Sequence, residues 1–301
     1  MSQDTSSETT KAGFVAVVGR PNAGKSTLLN WLVGEKLAMV SKKAQATRKR
    51  MNIIVMHENS QIIFVDTPGI HEKERLLNKF MLQEVFKAIG DCDLILFLAP
   101  AKDSLQHYKK FLELNSKNRP HIVVLSKTDE VSGKDLLKKI DEYRKFQDRF
   151  LALVPVSVKK DVGKSELLGE IVKHLPMSPW LYDPDLLTTT NIRDIYKELI
   201  RESIFENLSD EIPYETDVII EKIEELPKLE RVMATIVAEK RSQKMILVGK
   251  GGSTIKRIGR DARIKIEHFA GKKVFLELFV SVKSGWSKTK KSLEEIGYHF
   301  D

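Results

Sequence analysis

The sequence predicts two folded units in tandem: an α/β domain on a mixed, mainly parallel six-stranded sheet, then a small α+β domain. Three observations predict this. The chain has 301 residues, well beyond the roughly 100–200 of one ordinary domain. Up to about residue 175, short β-branched and apolar runs alternate with stretches of helical period, the pattern of a sheet wrapped by helices. Then Pro176, Pro179 and Pro184 crowd together and mark a linker. The expected organisation is a flexible tail over 1–12, a first domain over 13–175, a linker over 176–190 and a second domain over 191–301.

In the first domain strands are expected at 14–18, 51–56, 62–65, 94–99, 122–125 and 151–156, with helices between them. Only 57–60 separates the second strand from the third, too little for a crossover helix. That pair is expected as an antiparallel hairpin at the sheet edge. The second domain reads as a helix at 192–207, strands at 216–224 and 232–239, helices on either side of 249–252, and a strand at 273–282. Hydrophobic residues at 42% and charged residues at 31% fit a folded protein. The longest apolar runs, 94–100 and 121–125, fall far short of the roughly 18–20 residues of a membrane span. Residues 1–12 lack the basic start and apolar run of a secretory signal, so a cytoplasmic location is expected. The single Cys92 cannot form an internal disulfide or a thiolate zinc cluster and reads as a core residue.

Net charge is +8, and its position matters more than its size. Residues 240–301 hold 15 Lys and Arg against 6 Asp and Glu, so more than the whole excess lies in that segment. A polyanionic partner is expected at that end, with a solvated basic face as the plainer alternative.

Gly19, Arg20, Pro21, Asn22, Ala23, Gly24, Lys25 and Ser26, followed by Thr27, have the GxxxxGK[ST] spacing between an apolar strand and a helix. Such a loop lets successive backbone N–H groups converge on phosphate oxygens at a helix N-terminus. Lys25 would neutralise the β and γ phosphates, and Ser26 would offer a hydroxyl to the bridging Mg²⁺. Asp66, Thr67, Pro68 and Gly69 end the third strand, with a carboxylate for the metal's water shell and a glycine N–H for the γ-phosphate. Ser126, Lys127, Thr128 and Asp129 follow the fifth strand, where a carboxylate can accept from guanine N1 and N2; adenine lacks both donors. Ser157, Val158 and Lys159 can offer backbone N–H groups to the guanine oxygen.

In these motifs and their order the chain resembles translation-factor-class GTPases, whose base-reading element is normally NKxD. Ser126 stands where that pattern has Asn, a residue that steadies base and phosphate loop, so the resemblance implies lower nucleotide affinity with guanine selectivity kept by Asp129. It also makes Thr47, in the polar stretch Gln45, Ala46, Thr47, Arg48, the candidate switch threonine, which would bind Mg²⁺ and the γ-phosphate in the GTP state. A solvated loop threonine is the alternative. The implied catalytic residues are Lys25, Thr47 and Gly69, and the metal would be held by Ser26 and Thr47, with Asp66 acting through water. Ile70 stands where Ras-like enzymes carry a water-orienting glutamine, so slow intrinsic hydrolysis is expected. Asparagine at the position of Asn22 accompanies K⁺ dependence in some related GTPases.

Gly249, Lys250, Gly251 and Gly252 form a GxxG loop ahead of a helix. Lys256, Arg260 and Arg263 lie on one face of that helix and Ile255, Ile258, Ala262 and Ile266 on the other. This resembles a KH domain of the prokaryotic type (type II), which clamps about four nucleotides of single strand with such a loop. Trp286 and Phe269 could stack on bases, although aromatics in so small a domain are more often core.

As a whole the chain resembles the Era family of bacterial GTPases, over 13–299 and most distinctively in GRPNAGKSTLLN, FVDTPGI and VGKGGSTIKRIGRDAR. The resemblance implies a GTP/GDP and Mg²⁺ site, binding of the single-stranded 3′ end of small-subunit (16S) ribosomal RNA, and a role in maturation of the 30S ribosomal subunit or its precursor. It further implies peripheral contact with the inner face of the cell membrane. A monomer is expected. Three rival readings stand beside the resemblance, one of them a membrane-surface protein, against which the opposite face of the basic helix reads as ordinary core. A tandem-type ribosome GTPase would need a second phosphate loop, and an RNA scaffold with a decayed nucleotide site has only Ser126 and Ala46 in its favour.

Overall fold

The computed structural model describes residues 10–38, 47–69, 76–209 and 211–298. Most of the expected tail, together with Gln45, Ala46, Ile70 and His299, lies outside the described residues. The chain divides into two compact units. The first takes in 10–35, 50–69 and 84–189; the second takes in 36–38, 47–49, 76–83, 190–209 and 211–298.

The first unit is the mixed six-stranded sheet. Its strands are β1 (Lys11–Val18), β2 (Met51–His57), β3 (Ser60–Asp66), β4 (Leu94–Pro100), β5 (His121–Ser126) and β6 (Ala152–Pro155). They lie in the order β2-β3-β1-β4-β5-β6, and only the β2–β3 hairpin at the edge is antiparallel. The connecting helices are α1 (Lys25–Val33), α2 (Leu76–Asp91, of which 76–83 belong to the second unit), α3 (Gln106–Leu114), α4 (Gly133–Arg144) and α5 (Lys164–His174). β4 and β5 are buried throughout, as strands covered on both faces must be. On one side of the sheet Phe97, Tyr108 and Phe111 anchor the core, with the two phenylalanine rings stacked at 4.8 Å. Cys92 is buried in this core, and burial pushes its thiol up to about 12, so it stays protonated and inert.

Three boundaries differ from expectation. Residues 36–38, 47–49 and 76–83, expected in the first domain, fall in the second unit. β1 begins at Lys11, inside the expected tail, because Lys11 and Ala12 pair with Ser60 and Gln61 of β3. The proline-bearing stretch is part of the first unit. Ala12 N–H donates to the Pro176 carbonyl, Trp180 Nε1 to the Asn59 carbonyl, and Ile54 N–H to the Leu187 carbonyl. Thr188 also bridges to Ile53, so this stretch covers part of the outer edge of β2, a row of backbone groups that would otherwise be open to pairing.

The second unit is a three-stranded sheet of β7 (Thr216–Glu225), β8 (Leu229–Ala238) and β9 (Lys273–Val282), antiparallel between β7 and β8 and parallel between β8 and β9. Its helices are α6 (Ile192–Asn207), α7 (Arg241–Val248), α8 (Ser253–Ala270) and a short α9 (Lys290–Glu295). The helix, strand, strand, helix, loop, helix, strand order is the type II KH arrangement. α9 had no counterpart among the expected elements; Thr289 caps it by accepting from Ser292 N–H, and Leu293 is buried.

Arg48 is buried in this second unit. It forms an ion pair with Asp217 at 3.1 Å and donates to the Tyr214 carbonyl at 2.8 Å. Lys197 also meets Asp217, at 3.0 Å, and the Tyr298 hydroxyl donates to it. Burial alone would raise the Asp217 carboxyl, but Lys197, Arg48 and Arg201 outweigh it and hold the group well below the usual carboxylate range. Trp286 is fully buried beside Leu77, Phe80 and Met81, with its Nε1 on the Glu215 carbonyl, so it is core and does not face RNA. No helix among the described residues is long and apolar enough to cross a membrane.

Candidate functional site

The carboxyl ends of parallel strands deliver the nucleotide candidates other than Thr47, the usual ligand edge of an open α/β sheet. The phosphate loop leaves β1, Asp66 ends β3, Ser126 ends β5, and Ser157 follows β6. β1 lies between β3 and β4, so the phosphate loop and the Asp66 turn emerge side by side. The Ser26 hydroxyl meets Asp66 Oδ2 at 2.8 Å. A hydroxyl beside a buried carboxylate suits Mg²⁺ held largely by phosphates and water, which prefers oxygen donors and keeps much of its hydration. The donor set therefore fits the metal.

Lys25 is buried, with Nζ 3.3 Å from the Gly19 carbonyl and 3.4 Å from that of Arg20. Burial lowers its ammonium to about 8, partly offset by Asp66, so it is poised to gain from a polyanion. The Thr67 hydroxyl donates to the Val17 carbonyl at 2.7 Å and pins the start of the turn that carries Pro68 and Gly69. Gly69 must be glycine, since a Cβ there would lie 2.8 Å from three atoms of Pro21. That approach brings the Gly69 backbone against the phosphate loop. Asn22 takes a left-handed φ of 60° and is exposed, as is Thr27.

In the base-reading segment Lys127 has φ 55°, and its Nζ donates to the Asn22 carbonyl at 3.4 Å. Ser126 Oγ lies 3.5 Å from the Ala23 carbonyl, and Thr128 donates to the Val156 carbonyl at 3.1 Å. The Ser157 hydroxyl donates to Asp129 Oδ1 at 2.7 Å and holds that carboxyl below its ordinary value, leaving Oδ2 for a ligand. Val158 is half-buried and Lys159 exposed beside it. Thr47 falls in the second unit next to buried Arg48, whereas Ser26 and Asp66 fall in the first.

In the second unit, Gly249 has φ 72° and a Cβ there would lie 2.3 Å from Thr254 Oγ1, so the loop turns into α8 only with glycine at that point. Lys250 and Gly251 are exposed, Gly252 is half-buried, and Lys256, Arg260 and Arg263 stand exposed along α8. Ile258, Ala262 and Ile266 are core. Ile255 is instead half-buried and, with Lys256, Gly259, Arg260, Arg263, Leu276 and Leu278, lines a groove of about 300 Å³. An apolar floor with a basic wall suits unstacked bases joined by phosphates.

Sequence comparison decides the family. Residues 14–127 match the model described as 50S ribosome-binding GTPase, and 211–287 match the KH domain. The chain is 52% identical over 294 residues to GTPase Era of Helicobacter pylori, covering 96% of this chain and 97% of the relative. With GTPase Era of Campylobacter lari it shares 49% over 288 residues, 96% of this chain and 99% of that one. This chain belongs to the Era family of GTPases. A crystal structure of a variant Aquifex aeolicus Era bound to GDP·AlF4⁻ superimposes with a TM-score of 0.92 at 33% identity, covering 96% of this chain and all of that one. Era in complex with MgGDPNP and nucleotides 1506–1542 of 16S ribosomal RNA also gives 0.92 at 33% identity, over 97% of this chain and 100% of that one.

Three features of this Era-family chain escaped the motif reading. Leu276 and Leu278 complete the groove from β9, and their alternate spacing on a strand is the only signal they carry. Asp103 pairs with Arg20 through both carboxylate oxygens, from a turn with no motif of its own. Pro21 receives Gly69, a contact that spacing along the chain does not reveal.

Proposed function

We propose that the chain uses GTP binding and hydrolysis in its first unit to control capture of the single-stranded 3′ region of 16S ribosomal RNA by its second, during assembly and maturation of the 30S subunit. The observation that carries this reading is the fold match, across both units, to an Era that holds MgGDPNP and that RNA segment together.

Backbone N–H groups of the loop at 19–26 cradle the phosphates, and Lys25 exchanges its carbonyl partners for phosphate oxygens. Asp129, oriented by Ser157, accepts from guanine N1 and N2, and the backbone of Ser157, Val158 and Lys159 closes over the guanine oxygen. Ser26, with Thr47 in the GTP state and Asp66 acting through water, would hold Mg²⁺, which when bound neutralises charge on the β and γ phosphates. Gly69 offers its N–H to the γ-phosphate from a backbone already against Pro21. Ile70 brings no water-orienting amide, so intrinsic turnover is slow and a partner or the backbone completes the site. Lys250, Lys256, Arg260 and Arg263 meet RNA phosphates while the groove holds bases. By linkage, if GTP tightens RNA capture, RNA tightens GTP by the same factor. The chain acts as a cytoplasmic monomer, and peripheral contact with the inner membrane face rests on the family resemblance alone.

Steady-state GTP hydrolysis with Mg²⁺, with and without a single-stranded copy of the rRNA 3′ end, tests this reading. RNA is expected to stimulate turnover of GTP but not ATP, and to leave Gly251→Asp unstimulated. RNA binding without nucleotide binding would instead leave an RNA scaffold. The same assay in sodium and in potassium buffer reads out the role of Asn22.

A further inference from the structure

Three ties connect the phosphate loop to the segment after β5. The two direct ones are long: Ser126 Oγ lies 3.5 Å from the Ala23 carbonyl, and the exposed Lys127 Nζ donates to the Asn22 carbonyl at 3.4 Å, both near the limit of hydrogen-bond length. A serine has one hydroxyl hydrogen on a short side chain, where an asparagine would present two amide hydrogens on a longer one.

The indirect tie is strong. Arg20 Nη2 donates to Asp103 Oδ1 at 2.7 Å, Nε donates to Oδ2, and Nη1 donates to the Pro21 carbonyl at 2.9 Å. Two parallel N–H···O bonds between a guanidinium and a carboxylate are geometrically specific as well as strong. Asp103 sits in the turn that follows β4. Its N–H donates to the Pro100 carbonyl at 2.8 Å, and its own carbonyl accepts from Lys139 of α4 at 3.0 Å. Ala101 N–H in the same turn donates to the Ser126 carbonyl at 2.8 Å. The turn is thus bonded on one side to the phosphate loop, and on the other to the first residue of the base-reading segment and to the helix beyond it.

We propose that the Arg20–Asp103 pair is the positioning element that sets the phosphate loop against Ser126 and Asp129, supplying the tether that serine at position 126 makes poorly. The pair acts through the backbone of the loop that carries Arg20. Nε, Nη1 and Nη2 of Arg20 each already hold an acceptor, so the guanidinium orders the loop and adds no charge to the transferred phosphoryl group. A group of this kind contributes equally to ground-state and transition-state binding. Its loss therefore raises Kd and KM and leaves kcat at saturation in place. The inference rests on the guanine-nucleotide reading of the site, which binding of GTP and GDP to the unaltered chain tests separately.

The experiment measures GDP and GTP affinity by fluorescent-nucleotide competition, and kcat at saturating GTP, for the full chain and for Asp103→Asn, Asp103→Ala, Ser126→Asn and the double variant Asp103→Ala with Ser126→Asn. Both Asp103 variants are expected to weaken GDP by about tenfold with kcat within about twofold of the unaltered chain. Adding Ser126→Asn to Asp103→Ala is expected to bring affinity back to within about threefold, because these two ties do one job. A melting temperature near that of the unaltered chain serves as the folding control for each variant, and the isosteric Asp103→Asn decides the matter if Asp103→Ala does not fold. Unchanged GDP affinity in Asp103→Asn would overturn the proposal. So would a fall in kcat at unchanged affinity, which would place Arg20 in the transition state, or a failure of Ser126→Asn to rescue. An unaltered chain that binds neither nucleotide would overturn the nucleotide reading itself, and this proposal with it.

Discussion

The loop at 19–26 and the loop at 249–252 are each rich in glycine and each open a helix, yet their surroundings are opposite. The first is walled. Lys25 and Asp66 are buried in it, Gly69 presses on Pro21, and Arg20 is clamped by Asp103. The second is open, with Lys250 and Gly251 exposed and a half-apolar groove alongside. A walled loop can enclose one small anion and read its base through a fixed carboxylate, whereas an open one can follow a strand of any length. On the proposed function, the same backbone chemistry would serve a metabolite in one unit and a polymer in the other because of what packs around it.

Removing the charge inside the walled site should have the largest effect. Lys25→Ala is expected to cut GTP hydrolysis by about a hundredfold or more. RNA affinity without nucleotide should not change; a parallel loss would mean that the two sites are one cooperative unit. In the open site, Gly251→Asp is expected to weaken RNA by about thirtyfold and to leave RNA-free GTP turnover intact. A Cβ there meets no atom within 4 Å, and aspartate tolerates a positive φ, so the effect comes from a carboxylate facing phosphate. A melting temperature near that of the unaltered chain, measured alongside, checks that the fold is kept.

Titration sharpens the contrast further. The Lys25 ammonium of the nucleotide-free site sits at about 8, lowered by burial. Below that pH the group is already charged and nucleotide affinity should be flat. Above it, binding must draw in a proton, so affinity falls by up to about tenfold per pH unit. Calorimetry at about pH 8.5 in two buffers of different ionisation heat, referenced to Lys25→Ala to subtract uptake by guanine N1, would measure the Lys25 share, and its absence would mean that Lys25 is charged throughout. The exposed lysines of the RNA face should behave otherwise. Lys256→Ala is expected to weaken RNA only a few-fold and to reduce the slope of log affinity against log salt by about one.

Much of both sites was legible along the chain because local rules govern them. The six strands of the first unit read from their apolar runs, and the five-residue-scale spacing of glycine, lysine and serine in the phosphate loop follows from the geometry of N–H groups around phosphate. On α8 the separation of Ile258, Ala262 and Ile266 from Lys256, Arg260 and Arg263 is set by the helical period. Ile255 escaped, since the period places it with the core stripe while the nearby β9 makes it a groove wall. The linker reading of 176–190 was compositional, and prolines state where a chain is stiff without stating what it lies on. Here that stretch supplies backbone partners to β1 and β2.

By itself, then, the sequence determined the order of the main elements, the phosphate-loop pattern, the carboxylate of Asp129 after the fifth strand and the GxxG loop with its basic helix, since each is a pattern of neighbours along one chain. Only the tertiary structure decided which distant residues complete them: Asp103 for Arg20, Pro21 for Gly69, Ser157 for Asp129, and Leu276 with Leu278 for the groove. It also decided that Arg48 is buried against Asp217 in the second unit. These partners lie tens of residues apart or more. Their meeting depends on strand order and helix packing, and no local period encodes those.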